Sequence, residues 1–231
     1  MPTLATRLPR FLAEFPAPPA LPTGIEAHNP FGEPAVQALA QRFADTFYAD
    51  DRPRIALLGI NPGRRGMGRT GVAFTDPAAL AGPCGIANDL PAGRPELSTQ
   101  FVYRVIEALG GPADFYRHFF LSSLYPLVLL NQSLNYDSPA LLNTLWPDLQ
   151  HSLQQQVQQF RLRRDVAVSL GKRNGAFLQK LNDELGLFER VVVLDHPRYL
   201  MQYRRRELDA NVAGYVEVLG SLPGIGNFRG A

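Results

Sequence analysis

Two stretches of this chain gather residue types that do chemistry. The first is GINPGRRGMGRTGVAF, residues 59–74. Within it, Gly63 to Thr70 spells G-R-R-G-M-G-R-T. That is close to G-x-x-x-x-G-K-[ST], a loop whose glycine amides and lysine hold the phosphates of a nucleotide. Arg69 stands where the lysine belongs, and the following GVAFTDP is a poor helix start. A phosphate loop must open a helix whose amino end faces the anion. An NTPase using residues 63–70 is therefore the second reading of this stretch. Asn61, in Asn-Pro-Gly, reads on its own as a turn former. The second stretch is LDHPRYLMQYRRR, residues 194–206, where His196 follows an apolar run. A neutral imidazole donates from one ring nitrogen and accepts at the other. His28, His118 and His151 have no comparable setting.

Such residues need elements to position them. Four short apolar runs read as buried parallel strands: RIALLGI (54–60), HFFLSSLY (118–125), DVAVSLG (165–171) and RVVVLD (190–195). Continuous apolar character is what helices on both faces of a sheet produce. Helical patterns fall at 33–48, 98–109, 140–160, 174–186 and 206–219. The alternation predicts an α/β fold, a three-layer α/β/α sandwich around a central four-stranded parallel sheet. Residues 31–231 are read as one domain, with the Pro-rich residues 1–30 as an extended arm packing on it. The QQQVQQ run at 154–159 falls inside a helical pattern and reads as ordinary helix. The tail, 220–231, reads as coil because Gly and Pro dominate it.

Each strand runs into a polar or glycine-rich segment: Asn61-Pro62-Gly63, Ser122-Ser123, Gly171-Lys172 and Asp195-His196-Pro197. Ligands of open α/β sheets bind beyond the carboxyl ends of the strands. Asn61, Ser123, Lys172 and His196 are therefore expected on one rim.

Composition narrows the class. The chain has 231 residues, 45% of them hydrophobic, enough for one sizeable core. No run approaches the ~20 apolar residues of a membrane-spanning helix, and prolines and charges break up the amino terminus where a signal peptide would be apolar. With Cys84 as the only cysteine, neither an internal disulfide nor a four-cysteine metal cluster can form. The expectation is a cytoplasmic monomer. Net charge is +2, but residues 161–206 carry eleven Arg or Lys against five Asp or Glu, a balance of +6 that leaves −4 elsewhere. A basic carboxy-terminal third suits a phosphate-facing surface; solvated helix faces would account for it as well.

Taken whole, residues 59–74 resemble the first motif of single-strand-selective monofunctional uracil-DNA glycosylases, G-x-N-P-G-x-x-G-M-x-x-T-G-V-x-F. Gly59, Asn61, Pro62, Gly63, Gly66, Met67, Thr70, Gly71, Val72 and Phe74 match at fixed spacing. The second motif of that family begins with His-Pro after a strand, as His196-Pro197 does. The continuation, His-Pro-Arg-aromatic and then Met-Gln-Tyr-Arg-Arg, resembles a bacterial branch; the vertebrate-type pattern reads Ser-Pro-Arg. In order of elements the likeness spans residues 20–219.

The resemblance implies a monofunctional glycosylase acting on DNA, which flips a deaminated base out of the stack and hydrolyses its N-glycosidic bond. The flip is needed because that bond is unreachable in a duplex. Phe74 matches the residue on which the base lies, with Gly63 and Met67 lining the same pocket. Asn61 matches the residue that holds the attacking water. Being neutral, it orients the water more than it deprotonates it. His196 matches the donor to the carbonyl oxygen of the departing base, worth most in a water-poor pocket. Ser123, counted back from Pro126, stands where the vertebrate-type enzymes have Asn. One hydroxyl replaces the two groups of an amide, so the accepted bases are expected to extend from uracil to deaminated purines such as xanthine.

Tyr199, Leu200 and Met201 are expected to enter the duplex as an apolar wedge. Arg64, Arg65, Lys172, Arg173, Arg198, Arg204 and Arg205 are expected to meet phosphates, although Arg204–Arg206 fit the solvated first turn of the last helix nearly as well. The family implies no metal or cofactor and no Schiff-base lysine, and one cysteine excludes the iron–sulfur cluster of some bacterial relatives. Three readings stay open: the glycosylase, the NTPase, and a non-catalytic DNA-binding relative.

Overall fold

The computed structural model describes residues 3–91 and 93–226. Seven strands form among the described residues: β1 (Ile25–His28), β2 (Arg54–Gly59), β3 (Phe119–Ser123), β4 (Val128–Asn131), β5 (Leu134–Asn135), β6 (Leu162–Leu170) and β7 (Val191–Leu194). The four expected apolar runs form a parallel sheet in the order β3-β2-β6-β7, flanked by helices. Every residue of β2 and β3 is buried, which is why these strands are apolar without alternation. Pairing brings Gly59 beside Ser123, Leu58 beside Ser169, and Leu170 beside Leu194, so the carboxyl ends finish nearly level. From β2 the chain moves to β3 on one side, then crosses to β6 on the other. That reversal makes the carboxyl end of β2 the switch point at which such sheets bind ligands.

At the amino end of β2 the fully buried Arg54 ties loops together. Its guanidinium donates to the carbonyls of Tyr116 at 2.6 Å, Arg52 at 3.1 Å and Phe47 at 3.3 Å, and pairs with Asp50 at 2.9 Å.

Several elements differ from expectation. Within the expected extended arm, Leu4–Glu14 is a helix with Pro9 inside it. A mid-helix proline costs about 3 kcal/mol, but Leu4, Phe11 and Leu12 go into the core, each worth ~1.5–3 kcal/mol, and burial wins. A second sheet, antiparallel β1-β4-β5, stands beside the parallel one. Its strands are two to four residues long and only partly buried, too short to leave a period. The pattern at 140–160 divides into Pro139–Thr144 and Trp146–Gln159, because Pro147 belongs in the first turn of a new helix. The helix expected at 174–186 is Lys172–Leu185, and the one expected at 206–219 is Leu208–Gly220. Of the expected coil at 220–231, residues 227–231 lie outside the described residues. Among the described residues no helix is long and apolar enough to cross a membrane.

Candidate active site

A cleft of about 940 Å³ opens at the carboxyl ends of the parallel strands. Gly59, Asn61, Gly63, Met67 and Phe74 line it from the segment after β2, Ser123 from the end of β3, Arg173 from beyond β6 and His196 from beyond β7.

The segment after β2 doubles back. A four-residue helix, Met67–Thr70, stops at Gly71, and the Thr70 hydroxyl accepts from the Val72 N–H at 3.1 Å and donates to the Thr75 carbonyl at 2.7 Å. This knot returns Phe74 to the strand it left. Phe74 has a left-handed backbone, φ +53°, which costs a non-glycine residue roughly 1–2 kcal/mol. Its ring reaches to 2.8 Å from the point a Cβ on Gly59 would occupy. Asn61 is half-buried, and its amide makes no hydrogen bond to any described residue.

The glycine loop is not an empty anion cradle. The Glu96 carboxylate lies on it, 2.8 Å from where Gly63 would carry a Cβ and 2.6 Å from the corresponding point at Gly66. It accepts from the backbone N–H groups of Arg65 and Gly66. Burial pushes its pKa up; the Arg65 and Gly66 amides and Arg198 pull it down, while Asp76 adds to the rise. Asp76 also holds the Glu96 backbone, accepting its N–H at 3.0 Å and that of Ala79 at 2.9 Å. A nucleotide phosphate would meet this carboxylate, and the helix behind the loop is one turn long. The NTPase reading of residues 63–70 falls on these two facts.

His196 caps the helix Pro197–Tyr203: its Nδ1 accepts from the Arg198 N–H at 3.0 Å. An accepting Nδ1 assigns the proton to Nε2, leaving Nε2–H as the ring's donor. Burial depresses the pKa to about 4; Asp137 opposes this, and Arg198 and Arg173 reinforce it. The ring packs on Gly171, whose Cβ would lie 3.1 Å from His196 Cδ2.

Ser123 is buried, and its hydroxyl has no partner among the described residues. Its backbone carbonyl accepts from Gln156 Nε2 at 2.9 Å, while Gln156 Oε1 accepts from Ser122 Oγ at 2.6 Å. One glutamine of the 154–159 run is thus a fully buried brace beneath the site.

At the mouth the structure sorts the expected DNA contacts. Arg64, Arg65, Arg173, Arg198 and Tyr199 line the cleft. Arg173 is ion-paired with Asp137. Lys172 stands outside the lining, paired with Asp195 at 3.0 Å. Arg204, paired with Glu207 at 3.4 Å, and the exposed Arg205 are also outside it. Leu200 and Met201, expected in the wedge, are instead 3% and 5% exposed and belong to the core. The helix that carries them turns Tyr199 and Tyr203 outward, with ring centroids 5.4 Å apart. Tyr203 was legible: four residues past Tyr199, it shares that face of a helix. Glu96, Arg94, Asp137 and Leu134 also line the cleft, and no motif marked them. Among the described residues no three His, Cys, Asp or Glu side chains converge to hold a metal ion.

The family model of the uracil DNA glycosylase superfamily matches residues 46–220. The crystal structure of wild-type SMUG2 from Pedobacter heparinus is similar at a TM-score of 0.90 and 32% identity, covering 95% of this chain and 97% of that one. No curated protein matches.

Proposed function

The chain belongs to the uracil DNA glycosylase superfamily, and we propose from that premise that it is a monofunctional glycosylase releasing uracil from DNA. The observation that carries this reading is that Asn61 and His196, far apart in sequence, line one cleft together with the Phe74 ring. The extruded base lies against Phe74. Asn61, with its amide unengaged, holds a water against the anomeric carbon. The water oxygen bonds to that carbon as the glycosidic C–N bond breaks, and the bond's electron pair leaves with the base. The Nε2–H of His196 donates to the base carbonyl where negative charge gathers, a contribution of the size that removing one such donor reveals, about 100- to 1000-fold in rate. The water's proton goes to the released base, which departs neutral.

The Ser123 hydroxyl faces this pocket without a fixed partner, free to donate or accept. Such adaptability supports a range that includes xanthine. Alkali cleavage of oligonucleotides holding uracil, hypoxanthine or xanthine tests both parts. Activity on uracil alone removes the breadth. No alkali-labile site with any base, while DNA is still bound, leaves a non-catalytic relative. Asn61→Ala and His196→Ala should each lower single-turnover excision by orders of magnitude without unfolding the chain.

A further inference from the structure

A β-hairpin stands beside the cleft with a leucine next to its turn. Strands β4 and β5 pair Asn131 with Leu134, leaving Gln132 and Ser133 as a two-residue turn. Both have positive φ, +47° and +62°, which places them in the tight turn that normally takes Asn-Gly. Non-glycine residues persist in such backbone when their surroundings over-determine it. Here the surroundings are ties on the far side of Leu134. The Asn135 side-chain oxygen accepts from the Arg64 backbone N–H at 3.1 Å, and Asp137 is ion-paired with Arg173. The hairpin is therefore fastened to the loop that carries Asn61.

Leu134 itself is 62% exposed, which alone would mean little, since single apolar residues are common on surfaces. Its company gives it meaning. Four large apolar side chains are exposed among the described residues, and three of them, Leu134 at 62%, Tyr199 at 42% and Tyr203 at 65%, line this cleft. Arg64, Arg65 and Arg198 line it as well. Apolar and aromatic tips among arginines match DNA, where phosphates surround a base stack. A hydrophobic protein surface would leave those cations without partners.

We propose that Leu134 is a second wedge, inserted from the hairpin into the base stack beside the extruded nucleotide, while Tyr199 and Tyr203 enter from the helix Pro197–Tyr203. The inference rests on the glycosylase reading and adds to it a second point of entry. Prying the stack open from two elements divides the unstacking between them. In single-stranded DNA there is no pair to open, so Leu134 is dispensable there.

The test compares the wild-type chain with Leu134→Ala and Leu134→Met, using a duplex that bears a reduced abasic site and the same strand alone. Leu134→Ala should bind the duplex about tenfold more weakly and the single strand equally well, since a wedge acts only on stacked bases. Leu134→Met should restore duplex binding. Uracil excision should fall by the same factor in duplex and hold in the single strand. An equal loss on both forms, or no loss on the duplex, overturns the proposal, as does a wild-type chain that binds neither. If the wild type binds both but releases no base, the glycosylase reading fails, and the duplex-to-single-strand ratio still decides the role of Leu134.

Discussion

Phe74 lies against the backbone of Gly59, its ring edge 2.8 Å from the place where any other residue would carry its Cβ. The two ends of the first motif are therefore partners in space. The same device recurs across the sheet, where Gly171 makes room for His196. In each case a glycine just at or beyond a strand end lets a ring settle onto the rim.

Gly59→Ala should accordingly displace Phe74 and leave the sheet intact. A reactant misplaced by ~1 Å can lose about 100-fold in rate, and a loss approaching that in single-turnover excision is expected. The melting temperature should move little, because Gly59 has an ordinary negative φ and only the far edge of one ring must yield. An Ala variant with the wild-type rate would show that the base does not need the ring where it stands.

On the proposed reading, His196 sets the acid limit of excision. Its folded pKa is about 4 against an ordinary value of 6.5, with burial as the main cause. A depressed folded pKa means that the unfolded chain binds the extra proton between these two values. Stability from this group is complete above pH 6.5 and is lost as pH falls toward 4. The His196 imidazole in the cleft thus stays neutral through the window in which a free histidine would titrate. Excision should show no inflection near 6.5 and decline only toward 4, and His196→Gln should remove the part of that decline due to this residue. A rate that climbs as pH drops through 6.5 would assign the donor role to the imidazolium.

Much of the cleft's lining was legible because its residues stand in contiguous motifs. Asn61, Phe74 and His196 sit at fixed offsets in 59–74 and 194–206. The apolar run before Asn61 is a buried strand, whereas the run before His196, expected to be buried, is the partly exposed edge of the sheet, with Val193 42% exposed. What the sequence concealed was made by tertiary contact. Glu96 follows a proline in an unpatterned stretch, and only the fold lays its carboxylate on Gly63 and Gly66. Gln156 is one glutamine among five in its run, and burial alone distinguishes it. Leu200 and Met201 have wedge-like chemistry, yet the phase of a seven-residue helix turns them inward. The short strands of the second sheet left no period to read.

Glu96 offers a prediction of its own. Its carboxylate engages the Arg65 and Gly66 amides within the loop that begins at Asn61. A hydrogen bond to a charged acceptor contributes about 1.5–3 kcal/mol. Glu96→Ala should therefore loosen the loop and slow excision, whereas Glu96→Gln, which keeps an oxygen acceptor, should lose less of both. Hydrogen exchange at the Arg65 and Gly66 amides reads the loosening directly. Equal protection in wild type and Glu96→Ala would remove the clamp.

Arg54 should matter to folding and not to chemistry. It is fully buried at the end of β2 remote from Asn61, held by three carbonyls and Asp50. Removing one partner of a buried pair costs about 3–5 kcal/mol, and Asp50, being partly exposed, places Arg54→Ala toward the lower value. Chemical denaturation should show that loss, while excision by the folded fraction stays at the wild-type rate. A slowed reaction in fully folded Arg54→Ala would mean that this end of the strand also positions Asn61.

On the proposed reading, Gln156 couples stability to base choice. Replacing it with leucine keeps the bulk but leaves the Ser122 hydroxyl and the Ser123 carbonyl without their partner. Each buried group left unsatisfied costs about 1–3 kcal/mol, so a loss of about 2–6 kcal/mol is expected for the two, read as roughly 2–4 °C of melting temperature per kcal/mol. The brace holds the backbone of Ser123, which lines the cleft, so on the proposed reading the ratio of rates among uracil, hypoxanthine and xanthine should shift together with the melting temperature. Gln156→Glu separates the two effects. It keeps an acceptor for Ser122 but has no amide to donate to Ser123, so it should disturb base choice more than its stability loss alone would predict. If Gln156→Leu lowers the melting temperature and leaves every ratio unchanged, the glutamine supports the fold and has no part in selecting the base.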